Sequence, residues 1–156
     1  MTDVDKAIAT NRAARHDYFI DDVFEAGIVL TGTEVKSLRQ GRATIGDGYV
    51  YIEGGEAWAD NLHIPEYSQG TWTNHAPRRK RKLLLHTHEI EELQQATREK
   101  GFTIIPLRMY FVKGRAKLEI GIARGKKLHD KRQTLREKQD RREAERSLGV
   151  QRRVNR

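Results

Sequence analysis

The positive charge of this chain is confined to its C-terminal fifth, and this division limits which residues can build a core. Residues 1–123 contain 17 Lys and Arg and 17 Asp and Glu, so their charges balance. Residues 124–156 contain 13 Lys and Arg but only 5 Asp and Glu, so they carry the whole net charge of +8. Such an asymmetry indicates a neutral folded body with a cationic arm for a polyanion. The alternative is a tail that only increases solubility.

The C-terminal segment has too few apolar residues to pack on the body. Leu128 and Leu135 are the only large apolar residues between positions 126 and 147. Burying two leucines returns about 3–6 kcal/mol, whereas ordering about 20 residues costs about 1 kcal/mol or more for each. We therefore expect residues 125–156 to form a basic tail that is disordered when free. Good helix formers and pairs such as Glu137 with Arg141 predict a helix once an anionic partner is bound.

The rest of the composition favours one small intracellular domain. A chain of 156 residues with 37% apolar and 33% charged residues supports one core of about 110–120 residues. It has no cysteine, which excludes disulfides and thiolate zinc sites and suits a reducing cytoplasm. No segment approaches the ~20 apolar residues of a membrane helix, so a cytoplasmic protein without a membrane partner is expected. We divide the chain into a flexible lead (1–10), a body (11–124) and the tail (125–156).

Most of the body has the residue pattern of β-strands. Residues 18–30 are rich in β-branched and aromatic residues and predict a long, bent strand, in which Gly27 is a candidate bulge or bend. Residues 47–64 predict a hairpin with Gly54-Gly55 at its turn. Residues 102–112 and 115–123 predict two further strands, joined by Lys113-Gly114. Residues 83–85 are a short apolar run, and residues 65–82 lack periodicity and predict a long exposed loop.

Two helices interrupt these strands. The first spans GTEVKSLRQG, with Thr33 as its predicted cap and Gly41 at its end. Val35 and Leu38 are predicted to face inward, and Glu34, Lys36 and Arg39 to face elsewhere. The second spans THEIEELQQATREKG, with Thr87 as its predicted cap, Ile90 and Leu93 as its apolar stripe and Gly101 at its end.

Five or six strands with two or three short helices predict a mainly β fold. A body this small hides its sheet edges best when the strands close on themselves. We therefore predict a closed, six-stranded antiparallel barrel of the OB type. A β-sandwich is the alternative, although it would require more strands.

Three basic segments are candidates for binding RNA. In the tail, Lys126, Lys127, Lys131 and Arg132 are suited to phosphates and His129 to stacking on a base, unless the segment is only a solvated charged helix. The stretch NRAARHDY combines amide, guanidinium and ring groups that read unpaired bases, unless it is a frayed terminus. The run Arg78–Lys82 either holds phosphates or is a charged loop near acids elsewhere in the chain.

Catalytic and metal sites are not indicated. Six scattered histidines lack metal-ligand spacing, and the nucleophile-elbow, Walker and dinucleotide-binding motifs are absent. Glu25 and Glu34 are nine residues apart, and nothing in the sequence pairs them as an acid and a base. We predict a non-enzymatic protein with no catalytic residue, metal or cofactor. A nuclease or RNA-modifying enzyme would need a carboxylate or metal cluster.

Three motifs in order resemble one known family. Residues 11–41 (NRAARHDYFIDDVFEAGIVLTGTEVKSLRQG), 81–90 (RKLLLHTHEI) and 123–132 (ARGKKLHDKR) closely resemble the SsrA-binding proteins, the small protein B family of bacterial trans-translation. The resemblance runs from about Asn11 to Arg132. Two departures are a short, acidic lead before Asn11 and Gly149, which interrupts the tail. An OB-fold ribosomal or initiation-type protein that binds rRNA is the alternative function.

The resemblance implies an OB-type body and a ribosomal function. Such proteins bind the tRNA-like domain of transfer-messenger RNA (tmRNA), where they take the place of an anticodon arm. They support alanylation of that RNA and its delivery to stalled ribosomes, which involves alanyl-tRNA synthetase and elongation factor Tu indirectly. The tail enters the vacant mRNA channel near the small-subunit decoding centre and folds there as a helix. No DNA partner is implied.

The resemblance and the composition together give two sets of candidate site residues. The candidates for binding tmRNA are Asn11, Arg12, Arg15, His16, Tyr18, Glu25, Glu34, Lys36, Lys82, Leu84, His86 and Lys117. The candidates for the ribosome and its decoding centre are Lys126, Lys127, His129, Asp130, Lys131, Arg132, Arg136, Lys138, Arg141 and Arg142.

Overall fold

The segments rich in β-branched and aromatic residues form strands, as their alternation predicts. The computed structural model describes residues 7–70 and 74–126. The strands are β1 Ala9–Thr10, β2 Tyr18–Ile28, β3 Tyr49–Glu53, β4 Glu56–Asp60, β5 Arg81–Leu84, β6 Phe102–Val112 and β7 Arg115–Gly125. The helices are α1 Ala14–Asp17, α2 Gly32–Arg39 and α3 Thr87–Arg98. Among these residues, no helix combines the length and the apolar character needed to cross a membrane.

The strands close into a barrel. Hydrogen bonding follows the order β1-β6-β3-β4-β5-β2-β7, and an additional β6–β7 pairing joins the ends. Six strands, β2 to β7, therefore form the predicted closed antiparallel barrel, and β1 adds to the free edge of β6. The prediction of a mainly β, OB-like barrel with two or three short helices is confirmed. The tail from residue 127 lies outside the described residues, so its disorder when free and its induced helix stay predictions.

Glycine forms the tight turns where the sequence predicts them. Gly54 and Gly55 both have positive φ, +62° and +76°, between β3 and β4. Lys113 and Gly114, at +50° and +78°, form the turn between β6 and β7. These left-handed conformations match the twist of the strands that they connect.

The irregularity in β2 does not lie at Gly27, as the sequence suggested. The register between β2 and β7 shifts between Ile20 and Asp22. Gly27 instead pairs with Leu84 on one side and Lys117 on the other. The Leu84 side chain lies directly over it, since a Cβ added to Gly27 would meet Leu84 Cβ at 3.3 Å.

Both longer helices begin earlier than predicted, because each uses a glutamate in its first turn as part of a capping box. The cap of α2 is Thr31 rather than Thr33: the Glu34 N–H donates to Thr31 Oγ1 (3.4 Å), and the Thr31 N–H donates to Glu34 Oε1 (2.8 Å). The cap of α3 is His86 rather than Thr87, and its N–H donates to Glu89 Oε1 (3.0 Å).

The interior is apolar and is built by every strand of the barrel. The six strands contribute Ala26, Val50, Ala57, Leu83, Ile104 and Leu118, which are at most 4% exposed. A second, smaller cluster joins Ala14 of α1 to three residues of β6 and β7, namely Ile105, Leu107 and Ala123. This cluster holds the short helix α1, which the sequence did not predict, against the barrel.

Candidate nucleic-acid interface

A row of residues crosses the outer face of four neighbouring strands. Leu84 of β5 pairs with Gly27 of β2, Gly27 with Lys117 of β7, and Lys117 with Tyr110 of β6. Their chain neighbours, such as Leu83 and Leu118, lie in the core. Because successive side chains of a strand alternate between faces, the row lies on the outside of the barrel.

An open groove of about 600 Å³ is lined by three members of this row, Leu84, Gly27 and Lys117, and by residues at the N-terminus of α3. Four residues that were predicted separately line it together, although they lie far apart in the chain: Glu25, Leu84, His86 and Lys117. Leu84 is 55% exposed, the largest exposed fraction among the large apolar side chains of the described strands. The sequence reasoning missed Arg115 and the neighbouring Tyr110, because no motif marked them, and it missed Glu89 although that residue lies within the motif RKLLLHTHEI.

The groove combines three kinds of chemistry. Lys117 and Arg115 supply positive charge, and Glu25 and Glu89 supply acceptors. Leu84 supplies an exposed apolar surface. At the rim, the rings of His86 and His88 stack with centroids 5.7 Å apart and planes 7° apart. Cations suit phosphates, whereas carboxylates and flat or apolar surfaces suit base edges and base faces.

A second group of candidates lies around α1. The side chain of Arg15 is exposed, and so is that of Arg12. The His16 side chain is 86% exposed and bonds Asp17 through Nδ1 (2.9 Å). Asn11 is partly used by the barrel, since its Nδ2 donates to the Pro106 carbonyl (2.9 Å).

The residues around the start of the tail lie beside helix α1. Lys126 Nζ donates to the carbonyl of Arg15 (2.8 Å) and lies 5.2 Å from the ring centroid of Phe19. The Arg124 guanidinium lies 5.3 Å from the same ring and pairs with Asp21 at 3.3 Å. Neither Phe19 nor Arg124 was predicted as a site residue; the adjacency of β2 and β7 brings them together.

The two groups lie at opposite ends of the β2–β7 ladder. Tyr18 pairs with Gly125 at one end, whereas Glu25 pairs with Glu119 seven residues further along. At the usual rise of a strand, seven residues span about 23 Å. The remaining candidates from residue 127 onward, from Lys127 to Arg142, lie outside the described residues.

Comparison with known proteins shows the family to which this chain belongs. The family described as SmpB protein matches residues 8–150. The SsrA-binding protein of Streptomyces coelicolor is 65% identical over 151 residues, with 97% of this chain and 95% of the relative covered. That of Clavibacter michiganensis is 61% identical over 150 residues, with 96% and 95% covered. The chain belongs to the SmpB protein family.

A solved structure agrees with this assignment. A chain from the structure described as "tmRNA-SmpB: a journey to the center of the bacterial ribosome" superimposes with a TM-score of 0.65 and 50% identity. The match covers 75% of this chain and 82% of that chain. At this level of identity the barrel is shared with a member of the same family.

The motif GTEVKSLR, through which the chain resembles this family, contributes a buried acid rather than an exposed one. Glu34 is completely buried, which contradicts the expectation that it faces away from the interior. Its carboxylate accepts hydrogen bonds from Arg79 Nη2 (2.6 Å) and Arg81 Nε (2.6 Å). Periodicity did not reveal this because both partners lie more than forty residues away. Glu34 is therefore not placed to touch RNA.

The basic run Arg78–Lys82 is not a free cationic loop. Strand β5 already begins at Arg81, so the predicted loop over residues 65–82 ends earlier than expected. Arg81 is completely buried, and its guanidinium also donates to the carbonyls of Leu62 (2.8 Å) and Pro77 (3.0 Å). Arg79 and Arg81 thus donate hydrogen bonds to the buried Glu34 carboxylate. For these two arginines, the alternative prediction is confirmed: the run is a charged segment that lies near acids elsewhere in the chain.

The other cations of that run also have partners. Arg78 Nη1 donates to Asn61 Oδ1 (3.0 Å), Lys80 lies 4.6 Å from the ring centroid of Trp58, and Lys82 pairs with Glu56. Lys36, the remaining candidate on α2, lies 5.5 Å from the ring centroid of Tyr67. Neither Lys82 nor Lys36 lines the groove.

Stability at acid pH should depend on Glu34. Burial alone raises the pKa of this carboxyl, but hydrogen bonds from Arg79 and the Thr31 N–H, together with the charge of Arg81, outweigh it and hold the pKa below the ordinary 4.5. The folded state then binds this proton more weakly than the unfolded chain. The stabilisation is complete above pH 4.5 and is lost as the pH falls through the depressed value in the folded protein.

We therefore expect the free energy of unfolding to fall more steeply as the pH drops below 4.5 in the wild type than in Glu34→Gln, which cannot titrate at this position. Urea denaturation across that range measures both slopes. Equal slopes would show that Glu34 does not contribute to acid unfolding.

Within residues 7–70 and 74–126, no group of three or more His, Cys, Asp or Glu side chains is arranged to hold a metal ion.

Proposed function

We propose that the groove binds the tRNA-like domain of tmRNA and that the protein acts in bacterial trans-translation. The observation that carries the proposal is the convergence of Glu25, Leu84, His86 and Lys117 in one groove of a chain from the SmpB family. Its relatives are named SsrA-binding proteins, and its structural neighbour is described with tmRNA and the bacterial ribosome.

The chemistry of the groove supports RNA as its ligand. Lys117 and Arg115 can replace counterions at phosphates, which favours binding at low salt. Glu25 can accept hydrogen bonds from base amino groups or ribose hydroxyls, and Leu84 and the His86 ring can pack against a base or ribose. A site that only attracted polyanions would not need an exposed leucine and a carboxylate at its centre.

The group around α1 extends the proposed contact. Arg12, Arg15 and His16 are exposed about one β2 length from Glu25, so an RNA that touches both groups must extend along the barrel. The exposed cations of α1 suit the backbone of such an RNA, and Lys126 joins them at the point where the tail begins.

The proposal also covers the other steps of trans-translation. The protein supports alanylation of tmRNA by alanyl-tRNA synthetase and its delivery with elongation factor Tu to stalled ribosomes. The tail, with its excess of cations, occupies the vacant mRNA channel near the decoding centre. A ribosome that holds intact message fills that channel with RNA, so tail binding would report whether message is present.

Three single substitutions test the groove. Glu25→Ala, Leu84→Ala and Lys117→Ala should each weaken tmRNA binding about tenfold, because each removes one central contact of the interface. Gel-shift titrations with tmRNA transcribed from the Streptomyces coelicolor sequence measure the affinities. Each variant should remain folded, since these side chains lie outside the core.

The control is Lys80→Ala, which removes one positive charge beside Trp58 and away from the groove. It should change the affinity much less than Lys117→Ala. Wild-type affinity in all three groove variants would place the RNA-binding surface elsewhere. Sequencing the RNA that co-purifies with the protein separates tmRNA from rRNA as the ligand.

A further inference from the structure

Tyr110 is a buried aromatic residue with a polar hydroxyl. Its side chain belongs to the outer row of β6, beside Lys117, yet Tyr110 is only 2% exposed. The ring is not part of either apolar cluster of the barrel. Its hydroxyl donates to Oε2 of Glu25, at an O···O distance of 2.5 Å. A buried tyrosine therefore holds the central acid of the groove.

This hydrogen bond joins a hydroxyl donor to a carboxylate acceptor. A distance of 2.5 Å lies in the range of hydroxyl donors to charged carboxylates. Burial and, after it, the hydrogen bond to Glu25 raise the pKa of the Tyr110 phenol well above its ordinary value of 10.0. The hydroxyl therefore stays protonated at neutral pH and remains a donor.

The ring is itself held in place. The Arg108 guanidinium lies 4.4 Å from the centroid of the Tyr110 ring, and Arg108 Nε pairs with Glu119 Oε1 at 3.3 Å. Glu119 lies directly opposite Glu25 on neighbouring strands, where two like charges repel. Arg108 and Tyr110 give each carboxylate its own partner and so fix the Glu25 side chain beside a like charge.

We propose that Tyr110 is a positioning residue for RNA binding: it holds one oxygen of Glu25 and leaves the other oxygen as a preset acceptor for a hydrogen-bond donor of the RNA. This inference rests on the proposed function of the groove. The donor is an amino or imino group of a base, or a ribose hydroxyl, since a phosphate would repel the carboxylate. Glu25 then binds without the loss of rotamer freedom that a mobile glutamate would suffer.

A double-mutant cycle tests the proposal. Tyr110→Phe removes the hydroxyl and keeps the ring, and it should weaken tmRNA binding about five- to tenfold. In a Glu25→Ala background, the same change should cause no further loss, because its effect passes through Glu25. Tyr51→Phe, on β3, is the matched control and should bind like the wild type.

Glu25→Asp provides a second test that leaves the buried tyrosine untouched. The shorter side chain keeps the charge but cannot both reach the Tyr110 hydroxyl and occupy its place in the groove. We expect a loss of affinity similar to that of Tyr110→Phe, and this measurement can be made even if the phenylalanine variant does not fold. Wild-type affinity in Glu25→Asp would overturn the proposal.

The remaining outcomes separate this inference from the proposed function. If Glu25→Ala weakens binding and folded Tyr110→Phe does not, the positioning role is wrong and the groove remains the binding site. If Tyr110→Phe weakens binding equally in both backgrounds, Tyr110 acts on the barrel as a whole and the positioning role is again wrong. If Glu25→Ala binds like the wild type, the proposed groove itself is wrong.

Discussion

Replacing Arg81 with methionine is expected to lower the free energy of unfolding by about 3–5 kcal/mol, because it removes one partner of a fully buried ion pair. Of its two arginine partners, Glu34 would keep only Arg79, whose side chain is 34% exposed. The carbonyl of Leu62 would lose the donor that Arg81 provides, and the carbonyl of Pro77 would keep only the Ile64 N–H. Buried acceptors without donors add to the cost of the unpaired charge.

Urea denaturation at neutral pH measures this loss, and the neighbouring residue provides the control. Lys82→Met removes an exposed pair with Glu56 from the same strand and should cost less than about 1 kcal/mol. A small effect of Arg81→Met would mean that Arg79 and the surrounding structure compensate for the lost guanidinium.

The burial of Glu34 between Arg79 and Arg81 also predicts how substitution of Glu34 affects RNA binding. Because its carboxylate is completely buried, any loss of affinity in a Glu34 variant should follow the loss of folded protein. At a temperature where Glu34→Gln is fully folded, its affinity for tmRNA should equal that of the wild type. A residual deficit would indicate that α2 and its Lys36 contact the RNA.

Local sequence signals were sufficient for most of the fold. Alternating apolar residues placed the long strands, and the paired glycines at Gly54-Gly55 identified a turn that needs positive φ. The closed barrel followed from the number of strands and the need to hide sheet edges. The two predicted helix caps were wrong because they rested only on the preference for threonine at this position. In a capping box the cap lies three residues before a glutamate, and Thr31 and His86 lie three residues before Glu34 and Glu89.

The groove is formed by strands that are distant in the chain, and local sequence patterns do not show which strands pair with each other. Glu25, Leu84 and Lys117 came from the resemblance to the family, and only the strand register shows that they share a groove. Arg81 looked like one cation of an exposed run, because its partner Glu34 lies 47 residues earlier in the chain. In the sequence, Tyr110 does not differ from any other aromatic residue of a strand, whereas in the structure its hydroxyl donates a hydrogen bond to Glu25.

Deleting residues 129–156 is expected to separate the two proposed binding functions. The groove lies entirely within the body, so the shortened protein should bind isolated tmRNA with nearly wild-type affinity. Transfer of the nascent peptide to tmRNA on stalled ribosomes should fall to background. The reason is electrostatic: the 28 deleted residues carry 10 Lys and Arg against 5 Asp and Glu, and the anionic channel has no other partner of comparable charge on this chain.

A full-length variant tests whether charge is the cause. Replacing Arg132, Arg136, Lys138, Arg141 and Arg142 with glutamine keeps the length of the tail and removes five cations. We expect this variant to bind tmRNA normally, to bind stalled ribosomes more weakly, and to show a smaller dependence of ribosome affinity on salt, because fewer counterions are released. If the deletion abolished binding to isolated tmRNA as well, the groove alone could not be the tmRNA site and the division between body and tail would be wrong.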